Sequence, residues 1–246
     1  MLTLGVDLAS SPKTTGLCII DWANRSATIR ELAVNVDDSR ILSAARNCDA
    51  VGVDAPFGWP IAFTQFLAEQ TGNRTPFAWT HEQRNQLQYR ETDRYIQTQV
   101  GRPPLSVSSD RIAVVAMRCA GLLVQLGVQD RSGEHSVFEV YPAAALKRWG
   151  FDFRSYKSRE KSLAAGVFQS LVRELSGRVS WLHCAAESYD LLKSDTDAFD
   201  ALICALVARA AELKLTDQPS EEQATLAKTE GWIHIPSADC LHILAR

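Results

Sequence analysis

The tripeptide Gly-Val-Asp occurs twice, at Gly5–Asp7 and Gly52–Asp54, each time closing an apolar run. If those runs are neighbouring parallel strands, Asp7 and Asp54 stand side by side at their carboxyl ends. That edge of an open α/β sheet is where ligands bind. Carboxylates on adjacent strands lie about 5 Å apart and repel each other unless a positive charge sits between them. A divalent metal answers that need, and Asp offers the hard oxygen donors it takes. A further acidic pair, Asp197 and Asp200, opens a long apolar helix. Together these acids point to metal-dependent chemistry on phosphate or nucleic acid.

Each candidate also has a plainer reading. Asp7 and Asp54 both precede turn-forming residues and could serve the turns. Asp197 and Asp200 share one helix face. Ser194-x-x-Asp197 has the form of a capping box, which by itself accounts for Asp197 but less well for Asp200. Glu139 lies inside the apolar stretch Val137–Tyr141, where a charge is costly unless paired. It is either a metal ligand or the buried partner of an arginine. Arg90 and Asp93 sit at helical spacing, as a substrate-binding pair or an intrahelical ion pair. Lys13, after the first Asp-bearing strand, and Lys157, in a basic segment, are solvated or contact phosphate.

The elements that must position these residues follow from periodicity. Residues 2–9 alternate as a strand, 16–21 and 28–36 read as two further strands, and polar turns join them as hairpins. A short helix over 37–45 precedes a strand over 50–54, allowing the crossover that makes this strand parallel to the first. Small residues share the Asp-bearing faces: Gly5 and Ala9 on one strand, Ala50 and Gly52 on the other. They invite close approach by another element, for which the helix over 197–213 is the candidate. Helices are expected at 80–98, 111–126 and 161–175, a fifth strand at 136–141 and a last short one at 231–236. The segment from Arg74 to Arg118 holds seven arginines against four acids, and 147–161 holds six Lys or Arg against two acids.

The chain has 246 residues, is 46% apolar and carries a net charge of −3, which argues against indiscriminate binding to long DNA. None of the six cysteines forms a C-x-x-C pair, so a zinc ribbon is not expected and buried, reduced thiols are. The chain opens on a strand rather than a basic, apolar, cleavable leader. No apolar run reaches the roughly 20 residues that span a bilayer. The expected location is the cytoplasm, with no membrane partner and the oligomeric state open, a homodimer included.

Gly5-Val6-Asp7 on a first strand, two hairpin strands, an acid on a fourth strand and a late Asp197-x-x-Asp200-Ala201-Leu202 helix resemble the RNase H-like nucleases. The helix motif is similar to that of the Holliday-junction resolvases. More closely, the chain resembles the domain of unknown function 429 family, described as predicted nucleases with an RNase H fold. The stretches that carry this likeness are Gly5–Ala9, Asp54-Ala55-Pro56, Arg90-x-x-Asp93, Glu139-x-Tyr141-Pro142, Tyr156-Lys157, Asp197-x-x-Asp200 and Glu230-Gly231-Trp232. The expectation is one α/β domain over 1–246: a mixed five-stranded sheet of order 3-2-1-4-5 flanked by helices, with a helical insertion at about 56–129. The expected activity is phosphodiester hydrolysis in DNA or RNA with Mg²⁺ or Mn²⁺. Asp7 would be the shared metal ligand, Asp54 and Asp200 would complete the sites, and Asp197 or Glu139 would be the outer ligand. Lys13, Arg90, Asp93 and Lys157 would bind substrate. The alternatives are a phosphotransferase of the actin and sugar-kinase type, or a non-catalytic binding protein of the same fold.

Overall fold

The computed structural model describes residues 1–72, 79–133, 136–153, 156–157 and 161–246, with residues 161–164 described by backbone alone. The fold is α/β. Three strands, β1 (Leu2–Asp7), β2 (Gly16–Ala23) and β3 (Ser26–Val34), form an antiparallel meander. Helix α1 (Asp38–Ala45), capped by the Asp37 side chain, leads to β4 (Ala50–Asp54), which pairs parallel to β1. Four helices follow: α2 (Ile61–Thr71), α3 (His81–Gln88), α4 (Glu91–Val100) and α5 (Ala113–Gln125). Then come β5 (Val137–Glu139), parallel to β4, and α6 (Pro142–Arg148). The chain closes with α7 (Lys161–Arg178), β6 (Leu182–His183), α8 (Ala186–Ser194), α9 (Thr196–Glu212) and α10 (Glu221–Glu230).

Three expectations are corrected. The sheet has six strands among the described residues, in the order β5-β4-β1-β2-β3-β6, not five in the order 3-2-1-4-5. The added strand, β6, pairs parallel with β3 through only two residues, too few to leave a periodic pattern. The expected single helix over 80–98 is two, because the backbone is extended at Tyr89 and Arg90 and α4 starts anew. No strand covers 231–236; that stretch makes only isolated bridges, Ile233 to Glu139 and Pro236 to Thr216.

Helix α9 explains the small residues. Its positions 198–208 are buried all round, so it is a central helix rather than an amphipathic surface one. It packs on β1, β2 and β4, with Phe199, Ile203 and Leu206 joined to the core beneath α6, α7 and α8. On the opposite face of the sheet, Leu4, Val6, Val51 and Val53 pack with α1 and α5. Where α9 crosses the strands, three glycines on neighbouring strands leave no room for a side chain. A Cβ at Gly5 would lie 2.0 Å from the Ala201 carbonyl oxygen, one at Gly52 2.4 Å from that of Cys204, and one at Gly16 2.2 Å from that of Asp197. Gly5 pairs with Gly52 and Asp7 pairs with both Gly16 and Asp54, so the glycines and the acids belong to one contact surface. In each Gly-Val-Asp repeat, the glycine seats the helix and the aspartate two residues later shares that face.

Gly52→Ala should therefore cost about 1–3 kcal/mol or more in urea unfolding, since backbone rather than a movable side chain obstructs the new methyl. Gly121→Ala, in α5 with nothing within 4 Å of its Cβ position, is the control and should be neutral or stabilising. Equal stability of Gly52→Ala and wild type would contradict the close seating of α9.

Candidate active site

Asp7 and Asp54 are the last residues of β1 and β4 and lie in register on these parallel strands. Asp200 enters from the first turns of α9. The cap of that helix is Asp195, whose side chain accepts from the backbone N–H groups of Asp197 and Ala198. The expected Ser194 capping box is thus replaced: Ser194 ends α8, and Asp197 is free of a capping role. A single ammonium ties two of the acids together. Lys157 Nζ lies 3.5 Å from Asp7 Oδ2 and forms a closer ion pair with Asp200 Oδ2. The adjacent Tyr156 donates its hydroxyl to Asp200, 2.9 Å from each carboxylate oxygen, while its ring packs near Phe168 and Phe199. Asp54 has no hydrogen-bond partner among the described residues.

The electrostatics follow from burial. Asp7 and Asp200 are almost entirely shielded from water. Burial pushes the Asp7 carboxyl well above the usual range; Lys157 opposes this, and Asp200, Asp54 and Asp197 add to it. Asp54 is pushed up to about 7, by burial first and then by Asp200. Asp200 is raised by burial despite Lys157 and the Tyr156 hydroxyl. Asp197, half-buried beside them, is raised too, again chiefly by burial. Burial works against the Lys157 charge, but Asp200 and Asp7 more than offset it and hold its pKa above the ordinary lysine value. One ammonium faces three converging carboxylates, so the cluster is short of positive charge.

That donor set suits a hard divalent cation: carboxylate oxygens from two strand ends and a helix, undercompensated by protein charge. It is not arranged as a preformed metal cage. Among the described residues no group of three or more His, Cys, Asp or Glu has metal-holding geometry. In this arrangement the ammonium of Lys157 lies between Asp7 and Asp200. The Lys157 side chain is 43% exposed, with its ammonium 5.8 Å from the centre of the Tyr156 ring.

Glu139, Arg90 and Asp93 form a separate, fully buried clamp. The Arg90 guanidinium donates to both oxygens of Glu139, at 2.7 and 2.9 Å, and to both oxygens of Asp93, at 2.8 and 3.1 Å. It also donates to the Glu230 carbonyl, 3.1 Å away. Burial raises the Glu139 pKa despite Arg90, and Asp93 and Glu139 together lift that of Arg90 against its own burial. Glu139 Oε2 accepts from the Phe57 N–H at 3.0 Å, which pins the turn following Asp54. The Glu230 carboxylate accepts from the N–H groups of Ile61 and Glu91, each at 2.8 Å, and so satisfies the starts of α2 and α4. Gly231, at φ +93°, passes so close that a Cβ would lie 2.5 Å from Glu139 Oε2. Of the readings weighed for these three residues, metal or substrate contact on one side and ion pairing on the other, the structure shows the ion pairs. Removing one partner of such a buried pair typically costs 3–5 kcal/mol.

Lys13 stands exposed on the turn after β1, with no described contact to the carboxylates. The arginines of the middle segment are largely engaged. Arg94 pairs with Glu91, and Arg118 pairs with Asp38 while donating to the Ala9 carbonyl and the Thr15 hydroxyl. Arg74, together with Arg154 and Arg159 of the second basic segment, lies outside the described residues. Sequence reasoning passed over Tyr156 and Glu230 as site residues; the one available signal for Tyr156 was its place beside Lys157. Cys18, Cys119, Cys204 and Cys240 are buried free thiols, and Cys48 and Cys184 are partly buried ones. No helix of the described residues is long and apolar enough to cross a membrane.

The model of the family described as "Protein of unknown function (DUF429)" matches residues 5–224 of the chain. No curated protein and no solved structure matches it.

The raised Asp54 pKa fixes a sign. Between the usual carboxylate value of 3.8 and about 7, the folded state binds more protons at Asp54 than the unfolded chain does. Stability of the metal-free protein should therefore fall as pH rises through that window, and the loss should persist above it. Asp54→Asn should flatten this dependence and be the more stable protein at pH 8, as read by chemical unfolding at a series of pH values. A wild-type stability that rises from pH 4 to pH 7 as steeply as that of the variant would contradict the charge deficit.

Proposed function

The chain belongs to the DUF429 family, and from its acid cluster we propose that it is a metal-dependent nuclease hydrolysing phosphodiester bonds of DNA or RNA. One observation carries this reading: Asp7, Asp54 and Asp200 converge at the carboxyl edge of two parallel strands with too little positive charge to balance them. The topology supports it. A three-strand meander with β4 parallel to β1, β5 parallel to β4 and a helix bringing an acid to the same edge resembles an RNase H-like sheet extended by β6. The phosphotransferase alternative finds less support, because residues 8–15 hold no glycine with which to wrap a phosphate.

Asp7 and Asp200, which already share one cationic neighbour, would hold Mg²⁺ or Mn²⁺, with Asp54 completing the oxygen donors and Asp197 at their margin. The ion would supply Lewis-acid activation of water and charge neutralisation at the phosphate. The residues of the chain do the remaining work. Tyr156 orients the Asp200 carboxylate through one hydroxyl shared between its two oxygens. Lys157 keeps the acids from repelling each other in the metal-free state. Released from them, its ammonium stands beside the cluster as a counter-charge for substrate phosphate oxygens. The clamp of Arg90, Asp93 and Glu139 holds the Asp54 turn in place, with its charged groups committed to one another.

Asp7→Asn should abolish Mn²⁺-dependent cleavage of fluorescently labelled DNA and RNA oligonucleotides, by 100-fold or more, while far-UV circular dichroism stays unchanged. Cleavage near the wild-type rate in that variant would remove Asp7, and with it the proposed centre.

A further inference from the structure

Beside the acids, between β4, β5 and the loop after α4, lies a cleft of about 250 Å³. Asp7 and Asp54 stand at one end of it. Its walls are mainly apolar and include Pro56, Pro104, Leu105, Ile112 and Tyr141. Leu105 is 47% exposed, although it belongs to the lining. Tyr141 is the polar side chain of the lining that belongs neither to the acid cluster nor to the clamp of Arg90 and Glu139. Its ring is half-buried, and its hydroxyl has no hydrogen-bond partner among the described residues. Arg90 also borders the cleft, but its guanidinium donors are committed to Glu139, Asp93 and Glu230. Among the described residues the lining therefore holds no uncommitted cation to receive a phosphate, while Arg102, whose charge acts on Tyr141, stands exposed on the adjoining loop.

Building on the nuclease reading, we propose that this cleft receives one unpaired base of the substrate, next to the phosphate held at Asp7 and Asp54. The enzyme would thus act on single-stranded or frayed nucleic acid rather than on intact duplex. The size of the cleft falls below the roughly 300–1,000 Å³ of sites that enclose drug-sized ligands, which suits one base and excludes a base pair. Its chemistry suits a neutral flat ring with a hydrogen-bonding edge: apolar walls for the faces and a free phenol for the edge. Proteins read unpaired bases in this way, by stacking and edge contacts, and a base stacked in a duplex cannot enter such a pocket. The position matters as much. The cleft is continuous with the carboxylates, so an occupant delivers its own backbone phosphate to them.

The test uses the full chain with Ca²⁺ in place of Mg²⁺ and reads fluorescence anisotropy of three labelled probes: oligothymidylate, an abasic strand of equal length and a hairpin duplex. Oligothymidylate should bind on the order of tenfold tighter than the other two, the scale of one stacked base. Leu105→Glu changes an exposed residue outside the acid cluster. It should erase this preference while leaving the Ca²⁺-induced shift in melting temperature as in wild type. Equal binding of the abasic strand or the duplex, or an unaltered preference in Leu105→Glu, overturns the base cleft. If the Ca²⁺ shift remains in that case, the cation site stands and only the substrate assignment falls. Absence of both the shift and any nucleic-acid binding overturns the nuclease reading and the cleft together.

Discussion

The seating of α9 on the sheet is the constraint from which the rest follows. Backbone meets backbone at Gly5, Gly16 and Gly52, and no side chain intervenes. Because protein interiors are packed to crystal-like density, a helix held at that distance has little freedom to slide or tilt. Its amino-terminal turns then come to rest at the carboxyl ends of β1 and β4. Asp200 meets Asp7 and Asp54 there for the same reason that the strands carry glycine: bulkier residues would lift the helix away and separate the acids. The repeated tripeptide is a packing device and a chemical one at once.

The second half of the design is a charge imbalance held in place by rigid surroundings. Two buried carboxylates share one lysine beside a third, partly buried one, while nearby an arginine is fully matched by two acids and a backbone carbonyl. The two clusters differ in kind. At the clamp every donor of Arg90 has a described or shared acceptor, and the result ties α4, β5 and the start of α10's following turn into one unit. At the acid edge the Asp54 carboxylate has no hydrogen-bond partner among the described residues, and the Lys157 side chain is 43% exposed. A satisfied buried network rigidifies, and an unsatisfied one is a place where function is sought.

Much of this was legible in the residues. The alternation of β1, the hairpins and the helix before β4 have local signals, and so the parallel pairing of the two Gly-Val-Asp strands could be inferred. The small residues announced the approach of α9. What sequence could not separate were two roles for the same residue types. Arg90, Asp93 and Glu139 have the composition of a binding site, and only their mutual geometry, with Arg90 buried among them, makes them structural. The reverse holds for Tyr156, an aromatic in a basic segment whose hydroxyl turns out to hold Asp200. Strand β6 and the break between α3 and α4 were out of reach because one is two residues long and the other is imposed by the clamp at Arg90.

In the proposed reading Lys157 occupies, in the metal-free protein, the place that a divalent cation would take between Asp7 and Asp200. The most direct measurement is Mn²⁺ affinity by calorimetry in wild type and in Lys157→Met at pH 7.5. Removing a competing ammonium should tighten Mn²⁺ binding on the order of tenfold, the equivalent of about one pKa unit of interaction, while lowering the melting temperature of the metal-free protein. Weaker Mn²⁺ binding in Lys157→Met, or none in either protein, would contradict the account.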